Sequence, residues 1–502
     1  MPNKQQYKGR ILPLLSDGMG RELFVFNAKD EFSVEDLSDY IGTLLGELEI
    51  QHYGASLHLR SLMAEQTDDN EPWEGDGEVA FLLYFLHYPP VQLRQEIDAI
   101  PALKLVWDAM ASVAVAPAFT QQQFTALTSS LPNTSNVKCN KWGDIYGTHK
   151  YEQLDPGWAW TLKNDLLNHL PKWLGKGYGV ADFQAHEWRQ PFALQSSHDN
   201  QVRIAIIGDW GSGKYPLTGL ANQDGPTCAV MDSIAQLSPP PDYIIHLGDT
   251  YYSGTGAHRS PANEEADNLV DILKLYPNLA RKGRCFTLNS NHEMYGGAYG
   301  YYQQALTDPL FSSQQNCSYF ALEFADWIIA GIDSAYFDPS VLYMQGGLGD
   351  HAKNPQYQFL SKLSTRGKKV ILMSHHTGLS NDGDSASKYL WDDVNRVITP
   401  DYWYWGHIHL GAVYSPNAYS GSVKSRCIGH SAMPFAIPPG MANCQNTVAW
   451  YSDAPLDSAS NQQDLFYSSP RAANGFAMLT LSEDGIKEDI YHIGCTTPVW
   501  SN

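Results

Sequence analysis

Six polar residues of this 502-residue chain stand just past the ends of apolar runs: Asp209, Asp249, Asn291, His375, His407 and His409. Carboxylate, carboxamide and imidazole groups are donors that metal ions accept. Two ions held by such a set can clamp the attacking and leaving oxygens of an in-line displacement at phosphorus. Taken singly, each residue has a plainer reading. An Asp or Asn after a strand commonly caps a helix or forms a turn, and Gly406-His407-Ile408-His409 fits an ordinary turn. Independent turns have no reason to deliver two Asp, one Asn and three His in strand-end order.

The elements that must position these residues are written in the apolar pattern. Val202–Ile207 ends in Gly208-Asp209, and Tyr243–Leu247 ends in Gly248-Asp249. Arg284–Leu288 leads to Asn289-Ser290-Asn291-His292-Glu293, Lys369–Met373 to Ser374-His375-His376, and Tyr402–Trp405 to Gly406-His407-Ile408-His409. Cys228–Leu237 and Ala262–Tyr276 read as helices between the first three runs. The 40 residues from Asp209 to Asp249, and 42 from Asp249 to Asn291, suit βαβ units of about 30 residues or more. Strands alternating with helices predict a layered α/β domain. Ligands in such sheets bind outside the carboxyl ends of the strands, where these residues would converge. His246, inside a strand run, reads as a packed core histidine. Phe476–Leu481 and Lys487–His492 form a hairpin pattern around Glu483-Asp484-Gly485. Met441–Ala473 reads as a long surface excursion, in which Trp450 and Tyr451 could line a pocket.

Residues 1–195 read as a mainly helical accessory domain and 196–502 as the catalytic domain, with the polar break Ser196-Ser-His-Asp-Asn200 between them. No chemistry is visible in the first part, and any protein partner it serves is unknown. Hydrophobic residues make up 43% and charged residues 17%, as in soluble globular chains. A formal charge of −21 argues against nucleic acid or an anionic membrane surface as partner and leaves a small phosphorylated substrate open. No run of 18 apolar residues exists, so no spanning helix is expected. Seven scattered cysteines without a CxxC pair suit reduced thiols and a cytoplasmic location.

The motifs Gly208-Asp209-Trp210-Gly211, Gly248-Asp249-Thr250-Tyr251-Tyr252, Asn291-His292-Glu293, Ser374-His375-His376 and Gly406-His407-Ile408-His409 resemble, in order and spacing, those of the calcineurin-like metallophosphoesterases. The resemblance covers roughly residues 200–495. It implies a layered β-sandwich flanked by helices. Gly211 stands where many members have His, and Tyr252 follows Asp249 by three residues. This exchange resembles the purple acid phosphatases, and Gly-Asp-Trp-Gly resembles their small members. By that resemblance Asp209, Tyr252 and His409 hold one metal, Asn291, His375 and His407 the other, and Asp249 bridges them. Tyr251 is the ligand instead if the loop register differs. His292 would be the outer-sphere catalytic group near the phosphate and leaving group. The implied cofactors are two metal ions, Fe(3+) with Fe(2+), Zn(2+) or Mn(2+), a phenolate suiting the ferric ion.

The chain departs from the family pattern in several places. Ser290 replaces the usual Gly. His376, next to His375, is either a phosphate contact or a packed side chain. His430 reads as structural, and the helical N-terminal part is foreign to the small members. The expected reaction is hydrolysis of phosphomonoesters by direct attack of a hydroxide generated at the metals. The alternatives are a phosphodiesterase acting on cyclic nucleotides or other diesters through the same site, and an interaction protein with a vestigial phosphatase domain.

Overall fold

The computed structural model describes residues 180–502, apart from 189, 198, 214–224, 255–263, 339, 341–342, 434–440, 456–471 and 484. Before residue 180 it describes only the strand pairs Glu31–Phe32 with Trp73–Glu74 and Val137–Cys139 with Ile145–Gly147. The helical reading of residues 1–195 thus lies almost wholly outside the described residues. The chain divides after Val180, and Ala181–Asn502 forms one unit. That unit begins before residue 196 because Phe192–Ala193 pairs with Leu322 and Glu323 at a sheet edge.

In chain order the unit contains β1 (Phe192–Ala193), β2 (Val202–Ile207), α1 (Pro226–Ala235), β3 (Tyr243–His246), a π-helical stretch Glu265–Val270 running into α2 (Asp271–Lys274), β4 (Cys285–Thr287) and α3 (Asn291–Tyr295). There follow β5 (Phe320–Phe324), β6 (Trp327–Gly331), α4 (Gln356–Ser364), β7 (Lys369–Met373), α5 (Leu390–Asn395) and β8 (Tyr402–Trp405). Last come β9 (Gly411–Tyr414), β10 (Lys424–Ile428), β11 (Val448–Tyr451), β12 (Gly475–Leu481), β13 (Ile486–His492) and β14 (Trp500–Ser501). One sheet has the order β14-β13-β12-β2-β3-β4 and the other β11-β9-β10-β8-β7-β6-β5-β1.

The period-2 side-chain alternation of a strand explains the layers. Val202, Ile204 and Ile206 of β2 enter a core shared with Phe320, Leu322, Ile328, Ile371, Met373 and Trp403 of the other sheet. Ala205 and Ile207 face the opposite way, toward Cys228, Val230, Met231 and Ile234 of α1. The result is a β-sandwich flanked by helices, as the motif resemblance implies. The expected hairpin is present as antiparallel β12 and β13. Trp450 and Tyr451 fall on β11, paired with Val413 and Ala412, rather than in an irregular excursion. Among the described residues no helix is long and apolar enough to cross a membrane.

One buried ion pair ties the sheets together. Arg426 on β10 donates twice to Glu488 on β13, Nε to Oε1 at 2.8 Å and Nη2 to Oε2 at 2.9 Å, and Tyr404 of β8 donates to the same carboxylate. Removing one member strands a buried charge, which costs about 3–5 kcal/mol. Glu488→Ala is therefore expected to lower the urea unfolding midpoint strongly, and an unchanged midpoint would show the pair to be dispensable.

Candidate metal centre

β2, β3 and β4 run parallel to one another, as do β7 and β8. All six strand-end residues singled out from the sequence arrive where these strands stop. The sheets join there through polar contacts: His375 Nδ1 donates to Leu247 O at 3.0 Å, and the His407 N–H donates to the Asp209 carboxylate at 2.9 and 3.0 Å. The backbone is left-handed at Asp209 (φ 57°), Asp249 (68°), Tyr251 (46°), His407 (73°) and His409 (46°). Each such non-glycine residue costs on the order of 1–3 kcal/mol, and such residues cluster where side chains must be aimed.

One group gathers around His375. Its Nε2 lies 2.9 Å from Asn291 Oδ1, 3.2 Å from His407 Nδ1 and 3.3 Å from Asp249 Oδ1. The tautomers are fixed from behind. His375 Nδ1 must carry hydrogen to reach the Leu247 carbonyl, and His407 Nε2 must carry hydrogen to reach Met344 O at 3.0 Å. Burial lowers the His375 pKa to about 3, so its Nε2 bears a lone pair. With His407 in the neutral form that carries its hydrogen on Nε2, two imidazole nitrogens, an amide oxygen and a carboxylate oxygen present lone pairs to one point. This donor chemistry fits a cation.

The second group is Asp209, Asp249 and His409, whose ligand atoms cluster closely. Asp209 Oδ1 lies 3.7 Å from His409 Nε2. Burial, then the neighbouring Asp249, push the Asp209 carboxyl well above the usual range. Burial opposes ionisation of Asp249 too, but His375, His292 and the Ser290 hydroxyl outweigh it and hold that carboxyl below the usual range. Two buried carboxylates this close share a proton unless cations neutralise them.

The phenol of Tyr251, the alternative to Tyr252 that the loop register leaves open, lies beside this group. Tyr251 Oη lies 2.5 Å from His409 Nε2, 2.8 Å from Asp249 Oδ2 and 3.4 Å from Asp209 Oδ1. Tyr252 takes part through its main chain, its N–H meeting Glu264 and its carbonyl accepting from His292. The physical reason is local. Asn268 Nδ2 donates to the carbonyls of both Thr250 and Tyr251 at 2.5 and 3.0 Å, and the left-handed Tyr251 turns its own ring inward. Gly211 explains why no histidine completes the first motif: a Cβ there would lie 2.1 Å from the Thr250 carbonyl carbon. Gly248 (φ 106°) is equally constrained, since a Cβ would meet His375 Nδ1 at 2.8 Å.

Other residues set this frame. Ser290 Oγ lies within hydrogen-bond reach of both Asp249 Oδ1 and Glu293 Oε2, so the hydroxyl faces the acidic pair rather than away from it. Glu293 accepts from Thr250 N and Thr250 Oγ1, each at 2.8 Å, and from Asp249 N at 3.2 Å, holding the loop that presents Asp249. His292 packs its ring 4.3 Å from Tyr251 and 5.1 Å from Tyr295. His376 is buried, with Nδ1 2.8 Å from Ser334 Oγ and Nε2 2.6 Å from Tyr343 O, and it lies close enough to His375 and His407 to form a further group of possible metal donors with them. His430 is buried against Gly411 and Gly475. Met344 and Tyr295, both touching Asn291, carry no motif signal and were not found from sequence.

Residues 202–411 match the family model of the calcineurin-like phosphoesterases, and this part of the chain is a domain of that metallophosphoesterase superfamily. No curated protein matches the sequence. Similar solved structures include GAP50, the anchor in the inner membrane complex of Plasmodium, at 14% identity over 61% of this chain and 88% of that one, with a TM-score of 0.42. Purple acid phosphatase PPD1 from yellow lupin (Lupinus luteus) seeds has 14% identity over 61% of this chain and 53% of its own, with a TM-score of 0.40. A dimetal phosphatase from Danio rerio has 14% identity over 59% and 96%, with a TM-score of 0.36.

Proposed function

We propose that this chain is a dinuclear-metal hydrolase of phosphomonoesters, of the purple acid phosphatase type. The observation that carries the reading is the division of one carboxylate: Asp249 Oδ1 faces His375 Nε2 at 3.3 Å, while Oδ2 faces Tyr251 Oη at 2.8 Å. A bridging ligand needs this arrangement. Asp209, Tyr251 and His409 would hold one cation, Asn291, His375 and His407 the other. Two bound cations would lower the pKa of a coordinated water and neutralise charge gathering on the phosphoryl oxygens. The chain's own groups do the positioning. Glu293 and Ser290 fix Asp249, and Leu247 O and Met344 O fix the two histidine tautomers. His292 donates from Nδ1 to the Tyr252 carbonyl, so a second proton, held on Nε2, is the one it would give to the departing alkoxide.

The phenol supports Fe(3+) in the Tyr251 subsite, with Fe(2+), Zn(2+) or Mn(2+) in the other. Tyr251→Phe is expected to abolish a tyrosinate-to-iron absorption band in the visible, while Tyr252→Phe leaves it in place. The reverse outcome would restore the spacing-based assignment, and a native-metal protein with no band would remove the ferric claim. A small phosphorylated substrate and a cytoplasmic location belong to the same reading. The net charge of −21 leaves such a substrate open, and six described cysteines, Cys228, Cys285, Cys317, Cys427, Cys444 and Cys495, that are free thiols support the location. Rates on nitrophenyl phosphate and bis-nitrophenyl phosphate, measured beside metal content, test the substrate class. Faster hydrolysis of the diester would replace the monoester reading. Absence of both activities in a protein loaded with two metals would indicate a vestigial site.

A further inference from the structure

We propose that Tyr295 and Met344 are positioning residues that turn the amide oxygen of Asn291 toward the cation; the inference rests on Asn291 being a ligand, as read above. An asparagine binds a cation only through Oδ1. Its NH2 group has nearly the same shape, so something must break the symmetry of the flip.

The asymmetry lies on the Nδ2 side of this buried side chain, because Oδ1 meets the lone pair of His375 Nε2 where the cation would sit. Oδ1 lies 2.9 Å from His375 Nε2. Nδ2 donates to Tyr295 Oη at 3.0 Å and to Met344 Sδ at 3.4 Å, and Tyr295 Oη in turn donates to Met344 Sδ at 3.3 Å. Tyr295 follows Asn291 by four residues on α3, which places both on one face of the turn. A phenol by itself is ambivalent, since it accepts from an amide N–H or donates to an amide oxygen. A thioether only accepts. With the Tyr295 proton directed at the sulfur, the phenol offers Asn291 an acceptor, and the sulfur offers a second. Only the NH2 face fits that pair, so Oδ1 points the other way. Met344 also fixes His407 through its carbonyl, at 3.0 Å from Nε2. One residue outside the five motifs thus sets the orientation of two groups in one subsite.

The test titrates the metal-stripped full chain with Zn(2+) by calorimetry and reads the affinity of the second equivalent, with the thermal midpoint of the metal-free protein measured alongside. Tyr295→Phe is expected to weaken that equivalent about tenfold, the lower end of what lost outer-shell partners cost, at an unchanged metal-free midpoint. In the Asn291→Asp background the same change is expected to cost less than about twofold, because a carboxylate offers oxygen in either orientation. Equal losses in both backgrounds, no loss in the Asn291 chain, or a fall in metal-free midpoint matching the affinity loss would overturn the proposal. If Asn291→Asp binds no second cation, Met344→Leu decides. It keeps the carbonyl and removes the acceptor, and unchanged affinity there also overturns the idea. Asn291→Ala separates the two levels. If it leaves the second equivalent intact, the ligand reading itself fails. If it weakens binding while Tyr295→Phe does not, only the positioning role fails.

Discussion

Asp249→Asn is expected to reduce phosphatase activity by at least about a thousandfold, the upper end of the loss seen when one preorganised electrostatic group is removed, and to lower the metal content from two ions per chain. The amide keeps the shape of the carboxylate and removes its charge from both subsites at once. It also puts an NH2 group in place of one of the two oxygens, which face His375 Nε2 and Tyr251 Oη. Metal analysis beside rate measurement separates the causes. Full activity with two ions bound would sink the bridging role. Loss of activity with both ions retained would move the role of Asp249 from binding to charge stabilisation.

His292→Ala is expected to lower kcat by roughly 10²–10⁴, the range for a positioned proton donor. The imidazole is buried, its Nδ1 engaged by the Tyr252 carbonyl and its ring set against Tyr251 and Tyr295. A donor matters most when the leaving group is a poor one. The loss should therefore be large for an alkyl phosphate and much smaller for nitrophenyl phosphate, whose phenolate departs without a proton. Equal losses on both substrates would show that His292 serves the frame of the site and not the leaving group.

The sequence by itself determined the five strand ends and the types of residue at them. Val202–Ile207 or Tyr402–Trp405 must be buried strands, so Asp209 and His407 must emerge at their ends whatever the rest of the chain does. The layered α/β character follows for the same reason, whereas the sandwich is what the motif resemblance implies. Tertiary structure decided what composition leaves degenerate. Tyr251 and Tyr252 have the same chemistry, and a left-handed backbone at Tyr251 together with Asn268 on a separate helical stretch brings the Tyr251 phenol beside Asp249 and His409. The histidine tautomers depend on the carbonyls of Leu247 and Met344, and main-chain carbonyls carry no signature in a sequence. Met344 reaches the site from a loop far along the chain, where nothing in its neighbours announces metal chemistry. Local patterning fixes which donors arrive, and only the packing of one sheet on the other fixes which atom of each donor faces the metal.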